Sequence, residues 1–148
     1  MREFSKVCPQ IWESKRFRSL ADDSARLAYL YLLTNGHQTS AGCYRLPPAY
    51  ACADMGWEPD QYDAALRALL DAQLVQVDWD TSEVFIPRWF KHNPPTNEKH
   101  AKGTTRLVEK IQSDRLRELA GQELQEAMNK WSPKVLPLRQ PPRVPRFG

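Results

Sequence analysis

The sequence predicts a mainly α-helical chain carrying one small β-hairpin. Apolar residues recur at helical spacing in successive windows, one stretch alternates apolar and polar residues around an Asp-Thr-Ser turn, and Pro or Gly marks most boundaries between them. With 148 residues, 41% of them apolar, the chain has room for one core and a tail but not for separate cofactor and substrate domains.

The first helix is signalled by Ser19-Leu20-Ala21-Asp22, where the serine hydroxyl can cap the backbone N–H three residues on and Asp22 reaches back. It runs to Leu33. Only Arg26 is charged between Ala25 and Leu33, so Leu27, Tyr29, Leu30, Tyr31, Leu32 and Leu33 surround the axis, and the helix is expected to be largely buried. Asn35-Gly36 should end it, because glycine accepts the left-handed conformation at a helix terminus.

Gly42-Cys43-Tyr44-Arg45-Leu46 reads as a short strand, halted by Pro47-Pro48, which opens a second helix over 48–55 that Gly56 closes. Trp57-Glu58-Pro59 turns the chain into a third helix. Its apolar positions Tyr62, Ala65, Leu66, Leu69 and Leu70 form one amphipathic stripe. In Leu74 to Trp79 the residues Val75, Val77 and Trp79 alternate with polar ones, and Asp80-Thr81-Ser82 turns into Glu83-Val84-Phe85-Ile86-Pro87. Helix, strand, helix, tight turn, helix, hairpin is the order of a winged helix-turn-helix, whose third helix can enter the DNA major groove.

Two more helices are expected: one capped by Asn97, and one over 114–130 after Ser113, with Gly121 as a point where it could break. Residues 132–148 hold five prolines, Lys134, Arg139, Arg143 and Arg146, and no acidic group, which predicts a disordered basic arm. The expected organisation is a winged-helix domain with its N-terminal arm over 1–96, a helical extension over 97–131, and the Pro-rich tail.

The net charge of +3 conceals a strong segregation. Residues 1–20 carry +3, residues 21–86 carry −7, residues 87–112 carry +4, residues 113–131 carry −1, and the last 17 carry +4. An acidic body with basic surfaces is suited to meeting phosphate. Arg88, Lys91 and His92 form one candidate surface just after the hairpin. Lys99, Lys102, Arg106 and Lys110, spaced by three, four and four, form another along one helix face, although Gly103 within it weakens the helix by about 1 kcal/mol relative to Ala. On the third helix Gln61 could read an adenine edge and Arg67 a guanine edge, with Ala64 and Ala68 permitting close approach. Glu58, Asp60, Asp63 and Asp71 on that helix, and Asp78, Asp80 and Glu83 on the hairpin, would repel phosphate. Arg139, Arg143 and Arg146 are candidate tail contacts. Trp89 and Phe90 beside Lys91 either stack on an unpaired base or, the plainer expectation, plug the domain edge.

Other chemistries lack their residues. Cys8, Cys43 and Cys52 are an odd number at wide spacing and read as reduced thiols, and His37, His92 and His100 make no metal-binding helix pair. The sequence has no G-x-x-x-x-G-K-[ST] loop, no G-x-S-x-G elbow and no H-E-x-x-H, so a non-enzymatic chain without metal or cofactor is expected. No membrane span or signal peptide is read, which makes the cytoplasm of a bacterial host the expected location.

Four segments resemble one family. Ile11-Trp12-Glu13-Ser14, Asp22-Asp23-Ser24-Ala25-Arg26-Leu27, Gly42-Cys43-Tyr44-Arg45-Leu46-Pro47-Pro48-Ala49-Tyr50 and Ile86-Pro87-Arg88-Trp89-Phe90-Lys91-His92-Asn93-Pro94-Pro95 together are similar to the winged-helix N-terminal domains of phage- and prophage-encoded replication initiators, or replisome organisers. The likeness covers residues 4 to about 131. It implies binding of double-stranded DNA at a phage origin and recruitment of a host replication helicase or its loader, without catalysis by this chain. A homodimer would impose a half-site spacing. The reading from a different class is a phage-encoded protein-interaction module that binds and redirects a host protein, and a transcriptional regulator is a variant of the DNA-binding reading.

Overall fold

The computed structural model describes residues 3–139. The chain enters through a 3-10 turn, Pro9–Glu13, and a one-turn helix α1, Lys15–Arg18. The Ser14 hydroxyl accepts from the Phe17 backbone N–H at 3.3 Å, and the Phe17 ring is buried. Ser19 therefore closes α1, its hydroxyl donating to the Arg16 carbonyl at 2.7 Å, and does not cap the next helix as its sequence context suggested. Helix α2, Asp23–Thr34, is capped by Asp22, whose carboxylate accepts from the Ser24 N–H at 3.1 Å.

Two further expectations for α2 need correction. Only Ala25, Ala28 and Leu32 are fully buried, while Leu27 is 52% exposed, because the small alanines form the contact face and the leucines and tyrosines spread around its rim. The helix also ends without a left-handed glycine. Asn35 stays extended, and its side chain donates to the Tyr31 carbonyl at 3.0 Å and the Tyr44 hydroxyl at 2.8 Å while accepting from the His37 N–H at 2.8 Å. One amide thus satisfies the helix end that Gly36 was expected to close.

Strand β1, Cys43–Arg45, leads into α3, Pro48–Met55, which Gly56 ends at φ 68°, as expected from sequence. Helix α4, Pro59–Asp71, buries Tyr62, Ala65, Leu66 and Leu69 against α2. The hairpin is β2, Gln76–Asp78, and β3, Glu83–Phe85, and the sheet is antiparallel in the order β1-β3-β2, with Cys43 and Gln76 flanking Phe85. The architecture is mainly helical with a small wing, in the order the sequence predicts. Gly42, just before β1, sits at φ +67°, and a Cβ there would stand 2.2 Å from Cγ of Trp89, so this position requires glycine twice over.

After the wing come α5, Trp89–His92, then α6, Glu98–Glu109, and α7, Asp114–Arg139. Val108, Ile111, Leu116, Ala120 and Leu124 of this extension belong to the same buried cluster as Leu32, Leu66 and Phe85, so the last two helices close the core from the wing side. Gly121 does not break α7, which runs through it. The helix continues to Arg139, beyond the end expected near residue 130. Arg143 and Arg146 lie outside the described residues.

Candidate nucleic-acid interface

Helix α6 is set in place by its ends and one buried face. The Asn97 side chain accepts from the His100 N–H at 2.8 Å, and the His100 ring nitrogen Nδ1 accepts from the Thr96 N–H at 3.0 Å. Glu98 in the first turn complements the positive end of the helix dipole. Ala101, Thr104 and Val108 are buried, and the Thr104 hydroxyl lies 2.9 Å from that of Ser40, tying α6 to the loop before β1.

Lys99, Lys102, Arg106 and Lys110 occupy the opposite side. At 100° per residue they fall within an arc of about 80°, diametrically across from the buried face. All four are exposed. Among the described residues, none of the ion pairs within 4 Å involves any of them; those pairs are Arg26–Asp23, Arg67–Asp63 and Arg117–Asp114, and the His37–Asp54 contact at 3.4 Å joins them only with a protonated imidazole. The stripe is a row of solvated cations on a rigid element, flanked by Glu98 and Glu109.

The cluster after the hairpin is assembled differently. Arg88 is left-handed at φ 65°, its N–H donates to the Glu123 carboxylate at 2.8 Å, and its guanidinium donates to the Gln73 carbonyl at 3.3 Å. Burial first, then the charge of Arg16, hold the Arg88 guanidinium below its ordinary pKa. Burial likewise raises the Glu123 carboxyl. Arg88 thus docks α7 against the turn into α5. Lys91 is exposed. His92 is exposed too, but partial burial, then Lys91 and Arg88, push its pKa below the usual 6.5, so the ring is neutral at pH 7. Trp89 and Phe90 are buried, with Trp89 Nε1 donating to the Ser40 carbonyl at 3.0 Å. They plug the edge, and base stacking on them is excluded.

On α4, Gln61 and Arg67 are both exposed. The Arg67 Nε lies 2.9 Å from Asp63 and its guanidinium sits 5.9 Å from the centroid of the Trp79 ring. The cation nearest the groove-reading position therefore points along its own helix and back to the wing, and the exposed acids Glu58 and Asp60 lie at the start of the same helix.

The wing acids serve the fold, a role sequence reasoning missed. Glu83 is buried and accepts from the Gln112 N–H at 3.0 Å and the Ser113 N–H at 2.7 Å, gripping the link between α6 and α7. Asp78 is held below the usual carboxylate range, chiefly by the Ser113 hydroxyl. Arg115 completes the clasp by donating to the Gln76 side chain at 3.0 Å and the Val77 carbonyl at 2.6 Å. Two of the three wing carboxylates are thus turned to the protein's own backbone and hydroxyls. The only sequence signal was their place opposite Ser113-Asp114-Arg115, which requires the tertiary pairing to recognise.

Among the described residues, no group of three or more His, Cys, Asp or Glu is arranged to hold a metal ion, and no helix is long and apolar enough to cross a membrane. Cys43 is buried beside Glu83 and its thiol is pushed up to about 12, which makes it unreactive packing. Arg139 ends α7, on the far side of the chain from the wing link in sequence. Comparison with protein-family models, with curated proteins and with solved structures found no match to this chain.

Proposed function

We propose that this protein binds the phosphate backbone of duplex DNA through the solvent face of α6, as the DNA-binding part of a phage-type replication initiator acting in the bacterial cytoplasm. The observation that carries this reading is the set of four cations, Lys99, Lys102, Arg106 and Lys110, aligned opposite a buried face and paired with no carboxylate of the described residues. Long cationic side chains in a row on a stiff support follow a phosphate strand and release its condensed counterions. Lys91 extends the basic surface. Arg88 is committed to Glu123 and Gln73 and His92 is neutral at pH 7, so neither is counted among the phosphate contacts.

Backbone contacts orient a protein on DNA without reading sequence. Since Arg67 is engaged by Asp63 and Trp79, binding should show little sequence preference unless a partner or second copy adds base contacts. The test is titration of two labelled duplexes of unrelated sequence with the parent and with the variant carrying Lys99→Ala, Lys102→Ala, Arg106→Ala and Lys110→Ala. The parent should bind both alike, and the variant should bind both far more weakly. Equal binding by parent and variant refutes the assignment.

A second reading rests on the exposed acids of α4. Glu58, Asp60 and Asp71 give the helix-turn-helix a negative face suited to a basic protein surface, such as that of a host helicase loader. DNA binding by α6 and protein binding by α4 are compatible, because they use different faces.

A further inference from the structure

Gly103 is the one position of α6 where the sequence sacrifices helix stability on an exposed-side flank. Glycine inside a helix costs about 1 kcal/mol relative to alanine, and a requirement of the fold would offset that cost through a positive φ or a close neighbour. Neither is present. Gly103 is helical, and a Cβ built on it meets no atom within 4 Å. Among the described residues, nothing packed against Gly103 explains the absence of a side chain there.

Its surroundings point outward. On the helix surface Gly103 is bracketed by Lys99 and Arg106 on the cationic side and by His100 and Leu107 on the other. That second side opens into a groove of about 410 Å³ lined by Ser40, Asn97, Lys99, His100, Thr104 and Leu107 together with Gly103. The groove's open surface is mainly apolar, because the Ser40 and Thr104 hydroxyls bond each other and the Asn97 amide is used as the helix cap, and the 37% exposed Leu107 lines it next to the cationic row. A strand of alternating phosphate and sugar matches a row of cations bordered by an apolar groove.

Resting on the reading of α6 as the DNA-binding face, we infer that Gly103 is the close-approach point of the interface: one sugar–phosphate unit of the bound strand seats against the bare backbone at Gly103, its phosphates held by Lys99 and Arg106 and its sugar in the groove beside Leu107. A side chain at 103 would hold the strand off the helix by the thickness of a methyl group or more, lengthening the flanking phosphate contacts.

The experiment exploits the fact that stability and binding should move in opposite directions. Gly103→Ala removes a helix penalty into open space, so its melting temperature should equal or exceed that of the parent. Its affinity for a labelled 20-base-pair duplex should nevertheless fall by roughly tenfold, with Gly103→Leu weaker still. Gly121→Ala serves as the matched control, because it places a Cβ in ordinary contact at 3.7 Å from Val108 on a different helix and should leave affinity unchanged. Parent-like affinity for Gly103→Ala in a protein whose parent binds DNA overturns the close-approach assignment alone. A parent that fails to bind at low salt overturns it together with the α6 reading.

Discussion

Single side chains decide which groups are free to meet a ligand. His92 stands in the basic cluster yet is neutral at pH 7, because partial burial and the neighbouring charges of Lys91 and Arg88 disfavour its protonation. Its folded pKa lies below the unfolded 6.5, so the unfolded chain takes up the proton first and His92 subtracts stability as pH falls through 6.5. His92→Gln should therefore lose less stability than the parent between pH 7 and the acid side of that value, followed by thermal melts at each pH. A parent and variant that respond alike would contradict the assigned shift. Gly42 constrains the fold more severely: with φ at +67° and the Trp89 ring 2.2 Å from a would-be Cβ, Gly42→Ala should cost about 3 kcal/mol or more, read as a lowered denaturant midpoint.

Elements show how much of the fold was legible in the sequence and what was not. Helices α3 and α4 were readable in full, since proline opens each and α4 repeats its apolar residues with a helical period. The ends of α2 were not. Ser19 and Gly36 both satisfy local capping rules, but Asp22 caps and Asn35 closes because burial of Leu20 and the bond to Tyr44 fix the chain around them. The wing was legible as a hairpin and misread as a repulsive surface. Buried Glu83 holds two backbone N–H groups of the α6–α7 link, a pairing across about 30 residues that no local pattern encodes. Glu83→Ala leaves both donors without an acceptor and should destabilise the protein by about 3 kcal/mol. Hydrogen exchange should then rise first in α6 and α7. Uniform loosening of the whole chain would contradict the view of Glu83 as the clasp of that pair.

Across the whole molecule, the segregation of charge along the sequence becomes a division of labour in space. The strongly acidic stretch 21–86 contains the helix-turn-helix and the wing, and part of its negative charge is used internally by Asp54 with Tyr31 and His37, by Asp63 with Arg67, and by Asp78 and Glu83 with the α7 start. Among the described residues, the α6 cations of the basic stretch 87–112 make no ion pair. Spacing in the sequence was enough to place those four on one face, whereas the commitment of Arg88 and Arg67 elsewhere emerged only from the packed structure. The most direct test of the central claim is the salt dependence of duplex binding. If the stripe neutralises four phosphates, log K for the parent should fall against log salt with a slope of roughly −3.6, and the four-alanine variant should show a nearly flat line. A parent slope that survives all four substitutions would place the contact on another surface and remove α6 from the account.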